Sequence, residues 1–229
     1  MSARTRSRPF RESSLGIFFG VIFLAALVGQ AVAGWLAFND EQLAQGLGRI
    51  GLADYLGSAP FAADVAENWQ SEYLQFLLYI TATIWLLQKG SPESKELDKQ
   101  GLESDEDQKV GRYADPDSPA WARVGGLRTT VFAWSLTIVM GLVFVLSWLA
   151  QSVAGWASYN ETSLQQLQDP ISWPAYLHNP DFWSRTLQNW QSEFLAVGSM
   201  AVLSIYLRQR GSPESKPVGA PHASTGVEG

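Results

Sequence analysis

The sequence predicts an all-α, polytopic membrane protein with four transmembrane helices, built as two tandem helical hairpins with both termini in the cytoplasm. Three observations predict this fold. Apolar residues are concentrated in a few long runs, while charged residues, 17% of the chain, gather outside them. Lysine and arginine are concentrated in alternate connecting segments. Three blocks of sequence occur twice, and the members of each pair are 121 positions apart.

Two long uncharged runs predict the first and third spans. Residues 15–38 are 24 positions without a charge, and residues 131–159 are 29. A helix needs about 20 apolar residues to cross roughly 30 Å of hydrocarbon. The arginine-rich start of the chain and the Ala-Val-Ala at 31–33 also fit a cleavable signal peptide. Because Val-Ala-Gly-Trp recurs at 153–156, where no signal is cleaved, we favour an uncleaved helix.

Two shorter runs, residues 73–87 and 194–207, predict the second and fourth spans. They reach spanning length when they are extended back through Trp69 and Trp190. This extension takes one acidic residue, Glu72 or Glu193, into each membrane segment.

The distribution of basic residues predicts the orientation of the helices. Fourteen of the sixteen lysines and arginines lie in the N-terminal tail, the middle segment or the C-terminal tail. The two remaining loops carry one each, Arg49 and Arg185. Cytoplasmic loops hold the excess of basic residues in membrane proteins, so this bias places both termini in the cytoplasm.

The repeated blocks indicate an internal duplication of a two-helix unit. They are residues 30–43 and 151–164, residues 68–74 and 189–195, and residues 88–95 and 209–216. Two units that both start and end inside share one orientation and form a parallel repeat. The predicted boundaries are a cytoplasmic N-terminal tail at 1–14, hairpins at 15–95 and 130–216, an acidic cytoplasmic linker at 96–129 and a disordered C-terminal tail at 217–229.

The paired motifs carry a family resemblance. Gly-Trp-x-x-Phe/Tyr-Asn and Asn-Trp-Gln-Ser-Glu each occur twice, and each hairpin closes with Gly-Ser-Pro-Glu-Ser-Lys. Over about residues 15–216 the chain resembles a family of uncharacterised bacterial membrane proteins known as a domain of unknown function. The resemblance implies a bacterial inner-membrane location and no particular activity.

Several motif residues have structural interpretations. We expect Gly90 and Gly211 to be the positive-φ residues that follow a helix end, with a regulatory or docking role of the Ser-Pro-Glu-Ser segment as the alternative. Tryptophan and tyrosine gather at membrane–water interfaces. The predicted interface anchors are Trp35, Trp69, Trp85, Trp156, Trp190 and Tyr206.

Polar residues near the outer leaflet form the candidate site. At about 1.5 Å per residue, Glu72 and Gln30 lie at the same depth, and the repeat places Glu193 and Gln151 there too. The full set of the candidate intramembrane polar cluster is Gln30, Asn39, Asn68, Glu72, Gln151, Asn160, Asn189 and Glu193. Two interpretations stay open: interhelical hydrogen bonds that hold the helices together, or a ligand or proton site, which intramembrane acids commonly mark.

Composition excludes several activities. The chain has no cysteine and two histidines, so we expect no disulfide, metal centre or cofactor. It shows no nucleophile with an adjacent base and no phosphate-binding loop, so we predict no catalytic residue. Its net charge of −6 disfavours nucleic acid. The leading hypothesis is a non-enzymatic structural or partner-binding unit in the bilayer, with a membrane-protein partner or a second copy; the alternative is a proton or cation carrier or channel using Glu72 and Glu193.

Overall fold

The computed structural model describes residues 12–227, which are helical or irregular and contain no strand. The predicted all-α class is therefore confirmed for this part of the chain. Most of the predicted N-terminal tail, and the last two positions of the C-terminal tail, lie outside the described residues. The chain divides into two compact units, residues 1–62 and 63–229, with a boundary inside a helix. The predicted hairpin boundaries stay a prediction.

The first unit consists of one long helix and a short one. Helix α1 is Ser14–Ala44 and helix α2 is Leu52–Leu56. Helix α1 ends in a Schellman motif, in which Gly46 takes a φ of 77° and the Leu47 N–H donates to the Gln42 carbonyl at 2.8 Å. Helix α3, Ala59–Ala82, starts at the end of this unit and continues into the second.

The second unit holds the remaining helices of the described residues. These are a 3₁₀ turn at Gly111–Tyr113, α4 at Ala120–Arg123, α5 at Gly126–Ala133, α6 at Ser135–Gln165, α7 at Trp173–Tyr176 and α8 at Pro180–Tyr206. Helix α8 starts with an Asn179 cap, whose side chain accepts from the Asp181 N–H at 2.9 Å. Helix α6 ends in the same motif as α1, with Leu167 at a φ of 59° in the glycine position.

Two of these helices are long and apolar enough to cross a membrane, α1 and α6. In the most apolar windows of α1 and α6 only 6% and 17% of the residues are buried. Helices also form over the other two predicted spans, but α3 carries three acids and α8 carries Asp181, Arg185 and Glu193. The structure thus gives two apolar candidate spans among residues 12–227 where the sequence predicted four.

Helices α3 and α8 end before the Gly-Ser-Pro-Glu-Ser-Lys segments, so the expectation that Gly90 and Gly211 follow a helix end directly is wrong. Near the end of α3 the Thr81 and Thr83 hydroxyls donate to carbonyls one turn back, at 2.7 and 2.8 Å. Such back-bonding competes with continued helix. The positive φ itself is observed, 89° at Gly90 and 83° at Gly211, and it serves a separate turn.

The two turns after α3 and α8 have the same hydrogen bonds. The Ser94 hydroxyl accepts from the Gln88 N–H at 2.9 Å, and the Ser215 hydroxyl accepts from the Gln209 N–H at 2.9 Å. Both serines are buried. In each motif the second serine therefore folds back onto the glutamine that precedes the first glycine by two residues. This contact gives the repeated segment a local structural role.

Candidate functional site

A hydrogen-bonded clamp closes the loop after α1. The Asn39 side chain donates to the Ile50 carbonyl at 3.1 Å and accepts from the Ile50 N–H at 2.8 Å. The Trp35 indole donates to the same carbonyl at 2.8 Å. One backbone residue of the loop is thus held by two side chains that lie one helical turn apart.

The same clamp recurs 121 residues later, after α6. The Asn160 side chain donates to the Ile171 carbonyl and accepts from its N–H, both at 2.9 Å. The Trp156 indole donates to that carbonyl at 2.7 Å. These contacts explain the Gly-Trp-x-x-Phe/Tyr-Asn motif, because the tryptophan and the asparagine must share one helix face.

The glycine of the motif has its own role, which the sequence analysis missed. A Cβ atom on Gly34 would lie 2.3 Å from the Tyr55 hydroxyl, and one on Gly155 would lie 2.7 Å from the Tyr176 hydroxyl. Both tyrosines are buried under the loops. The motif is therefore a packing site for a loop tyrosine as well as a clamp. Asn39 and Asn160 each bind the backbone of the loop that follows their own helix. They therefore do not belong to the candidate intramembrane cluster.

Helices α3 and α8 meet along a line that we call the α3–α8 seam, where the paired residues are about 121 positions apart. Asp64 lies beside Arg185, and the Trp190 indole donates to Gln70 Oε1 at 2.8 Å. Further along, a cavity of about 270 Å³ is lined by three pairs with this spacing, and by Glu93. The three pairs are Gln75 and Ala196, Phe76 and Val197, and Tyr79 and Met200. The two helices therefore run parallel and in register.

Arg185 is the centre of an acidic cluster at the N-terminal end of the seam. Its guanidinium lies 3.1 Å from Glu67 Oε2, 3.6 Å from Asp64 Oδ1 and 3.6 Å from Asp181 Oδ2. Burial raises the pKa of Asp64, and the Arg185 charge opposes this. Burial by itself would lower the pKa of Arg185, but the neighbouring acids, above all Glu67, outweigh it, so the pKa of Arg185 is raised. The arginine is held charged by its neighbours.

The Tyr176 hydroxyl joins this cluster from the loop and links it to the clamp. It donates to Asp181 Oδ2 at 2.9 Å. Burial, together with this hydrogen bond and the Asp181 charge, raises the pKa of Tyr176. The phenol therefore remains protonated and acts as a donor.

Two of the predicted site asparagines lie at the start of the seam. Asn189 donates to Glu67 Oε1 at 2.6 Å and so belongs to the acidic cluster. Asn68 is exposed, and its side chain donates to the carbonyl of Asp64 at 2.8 Å in its own helix. Only one of the pair therefore connects the two helices.

Glu72 and Glu193 lie further along the seam, as equivalent positions of α3 and α8. Glu72 is exposed and Glu193 is half-buried. They lie between two contacts of the seam, the Trp190–Gln70 hydrogen bond and the cavity lined by Gln75 and Ala196, so they are at one level along the two helices. Neither has an ion-pair partner among residues 12–227.

The two glutamines of the predicted cluster have different surroundings. Gln151 is buried, and its Nε2 donates to Thr186 Oγ1 at 3.3 Å. Thr186 precedes Glu193 by seven residues, which is about two helical turns. The prediction that Gln151 and Glu193 lie at the same depth is therefore wrong. Gln30 is half-buried in α1. Its pairing with Glu72 stays a prediction.

The remaining predicted anchors have mixed surroundings. Trp69, Trp85 and Tyr206 are exposed by 42%, 52% and 61%. Trp85 packs against Gly101, and the Tyr206 ring lies 5.5 Å from the His222 ring. Trp190 instead points into the seam, so its indole N–H serves a helix contact.

The C-terminal tail, predicted to be disordered, makes defined contacts up to Gly226. The Lys216 side chain is 1% exposed. Four carbonyl oxygens surround its ammonium, those of Gly90 at 2.6 Å, His222 at 2.9 Å, Ser224 at 3.1 Å and Pro221 at 3.4 Å, and they share its three N–H donors. This tail cage ties the tail to the first Gly-Ser-Pro-Glu-Ser-Lys turn.

Sequence reasoning missed Glu67, Arg185 and Thr186 in the seam. One signal was present: the repeat differs at Asp64 and Arg185, where equivalent positions carry opposite charges. Opposite charges at equivalent positions are what two parallel copies need in order to pair. No group of acids or histidines that could hold a metal ion occurs within residues 12–227.

The fold and the seam define an all-α protein with two long apolar helices and a polar contact between two less apolar ones. The chain belongs to the family described as a domain of unknown function (DUF6766), which matches residues 6–227. The resemblance found in the sequence is thereby confirmed, and the match includes the tail cage. No curated protein and no solved structure matches the chain.

Proposed function

We propose that this protein is a non-enzymatic, structural or partner-binding unit of a bacterial inner membrane, with four membrane-spanning helices and both termini in the cytoplasm. The observation that carries the proposal is a difference between two pairs of helices, one apolar and exposed and the other joined by polar contacts. Helices α1 and α6 expose large apolar side chains, among them Phe18, Val21, Leu142 and Val145. Helices α3 and α8 instead contact each other through polar side chains near their starts.

The seam supports a packing role for the polar residues. Arg185 is neutralised by Asp64, Glu67 and Asp181, and Asn189 fills a remaining acceptor of Glu67. Charges in apolar surroundings are tolerated when they are paired and hydrogen-bonded. A network with so many mutual contacts holds two helices in register, and it lies outside the proposed spans, which begin at Trp69 and Trp190.

The proposed partner is a second copy or another membrane protein that contacts the apolar faces of α1 and α6. Crosslinking in native membranes, followed by purification in mild detergent, tests this. We expect a crosslinked species heavier than the 25.2 kDa chain. Recovery of the isolated monomer alone, at every crosslinker length, contradicts a partner-binding role.

Topology is tested separately with reporters of cytoplasmic and periplasmic location. Fusions after residue 11, within the segment 96–117 and after residue 227 are expected to report the cytoplasm. Insertions at the loops near Arg49 and Asp169 are expected to report the periplasm. A periplasmic signal from the middle segment contradicts the four-span arrangement.

A second candidate function is proton or cation transport through Glu72 and Glu193. The observation that favours it is their position at one level of the seam, between the Trp190–Gln70 hydrogen bond and the cavity, without an ion-pair partner within residues 12–227. Proteoliposomes carrying a pH-sensitive dye test it. Transport should disappear in the Glu72→Gln/Glu193→Gln double variant and persist in the control Glu161→Gln, an exposed acid of α6. Wild-type protein without any pH or membrane-potential response eliminates this candidate.

A further inference from the structure

Five side chains from three helices meet at a place that we call the junction. They are Gln70 of α3, Trp148 and Gln151 of α6, and Thr186 and Trp190 of α8. Trp190 donates to Gln70 at 2.8 Å, and Gln151 donates to Thr186 at 3.3 Å. The Trp148 and Trp190 ring centroids are 5.9 Å apart, which connects the two hydrogen-bonded pairs. All five belong to the second unit.

The two glutamines and the threonine of the junction are buried, but three polar atoms of the junction lack a hydrogen-bond partner among residues 12–227. Gln70 and Thr186 are 0% exposed, and Gln151 is 2% exposed. Yet Gln70 Nε2, Trp148 Nε1 and Gln151 Oε1 have no exposed surface and no hydrogen-bond partner among the atoms of residues 12–227. Buried polar atoms of folded proteins are nearly always paired, with protein or with ordered water. Three unpaired atoms in one junction therefore point to a ligand.

The hydrogen-bonding roles of these atoms define that ligand. An indole N–H can only donate, so Trp190 fixes Gln70 Oε1 as its acceptor and leaves Gln70 Nε2 as a donor. Trp148 Nε1 is a donor for the same reason. The ligand must accept two hydrogen bonds. The free end of Gln151 offers it an acceptor or a donor, because the Thr186 hydroxyl at the other contact can accept or donate. Water accepts two hydrogen bonds and donates two.

Charge argues against an anion in this place. The titratable groups nearest along α3 and α8 are Glu67, Glu72, Arg185 and Glu193, and Arg185 is already surrounded by three acids. The local field is therefore negative. A small neutral ligand satisfies the donors without adding charge.

We propose that the junction binds ordered water as a permanent buried ligand, held by Gln70, Trp148 and Gln151. The water completes the hydrogen bonding of three helices at one level. This site does not depend on whether the protein binds a partner or transports a cation. It explains why a fully buried glutamine occurs on each of α3 and α6, where apolar packing would otherwise be expected.

One competing explanation concerns a single atom. The Trp148 and Trp183 rings are 6.2 Å apart at 73°, an edge-to-face arrangement in which an indole N–H can point at a ring. Such a contact accounts for Trp148 Nε1 and leaves Gln70 Nε2 without a partner. The two explanations differ in whether water lies against the indole proton.

Nuclear magnetic resonance of the full chain, with ¹⁵N in the indole groups, tests the proposal in detergent micelles. Trp148→Phe assigns the signal, or, if that variant does not fold, contacts of the indole to the Phe144 and Phe182 rings assign it in the wild type. We expect a rotating-frame cross-peak between the Trp148 indole proton and long-lived water. Trp156, which donates to Ile171, is the control and should lack it.

The variant Gln70→Leu tests whether the water is shared. The cross-peak at Trp148 should fall at least several-fold, while the Trp156 indole signal stays unchanged. An upfield-shifted Trp148 proton without a water cross-peak overturns the proposal in favour of the ring contact. An unchanged cross-peak in Gln70→Leu also overturns it, because the water would then belong to Trp148 alone.

Discussion

Asp64 and Arg185 occupy equivalent positions of the repeated sequence, and they lie side by side, with the guanidinium 3.6 Å from the carboxylate. One such pair shows that the two helices are neighbours, and further pairs in the same order along both helices show that they are parallel. The pair Trp190 and Gln70 follows the same register one to two turns further on. The opposite charges at 64 and 185 therefore belong to a contact between the two copies of the unit.

Loss of Arg185 is expected to destabilise the second unit. Arg185→Met leaves Glu67, which is 13% exposed, beside two other acids without a cation. We expect a loss of about 1–3 kcal/mol, less than for a fully buried pair because Arg185 is partly exposed. Thermal unfolding in detergent measures this, with Arg49→Met in an exposed loop as the control. Addition of Glu67→Gln should restore part of the loss; an Arg185→Met protein as stable as the control contradicts the network.

The two asparagine clamps are expected to be energetically equivalent. Asn39→Ala and Asn160→Ala each leave the N–H of one loop isoleucine without its side-chain partner, and its carbonyl with the tryptophan indole alone. We expect each to lower the free energy of unfolding by about 1–3 kcal/mol. Asn68→Ala is the matched control, since its side chain bonds within its own helix and is exposed. Equal stabilities of all three variants would show that the clamp contributes nothing.

Leu167 offers a substitution that should stabilise the protein. It holds the left-handed position after α6, at a φ of 59°, and its side chain is 97% exposed. Glycine reaches this conformation without steric strain, so Leu167→Gly should gain about 1 kcal/mol. The reverse change at the equivalent position, Gly46→Leu, should lower the free energy of unfolding by a similar amount. Chemical denaturation of both variants checks the opposite signs; a loss at Leu167→Gly contradicts the prediction.

The tail cage depends on the Lys216 ammonium. Lys216→Met removes the ammonium from its four carbonyl acceptors and is expected to release residues 217–226 from the turn that contains Gly90. Hydrogen–deuterium exchange of this segment should speed up by at least tenfold. Lys95→Met is the control, because Lys95 is the repeat equivalent and binds Gly101 and Glu103 instead. A tail that stays protected in Lys216→Met argues against the cage.

The helices were predictable because they are local. Runs of apolar residues and the positive φ of Gly90 and Gly211 depend on neighbours in sequence. The end of α3 was less predictable, since threonine hydroxyls that bond one turn back compete with the helix. The apolar character of α3 and α8 was overestimated, because the charges near their starts were read as loop residues.

The candidate site was predicted only in part. Glu72 and Glu193 lie at one level of the seam, between the Trp190–Gln70 contact and the cavity, and Asn189 lies between the helices. Asn39 and Asn160 hold loops instead, and Gln151 meets Thr186 two turns from the expected acid. Depth along a helix axis can be counted from sequence, but a hydrogen-bond partner also depends on the rotation and spacing of the helices.

By itself the sequence determined the helical class, the positions that recur every 121 residues and the membership of the family. These properties depend on composition and on order along the chain. Only the tertiary structure decided that Arg185 faces three acids, that Tyr176 fills the space beside Gly155, and that the tail encloses Lys216. The physical reason is range: hydrogen bonds and ion pairs act over a few ångströms, between residues that only folding brings together.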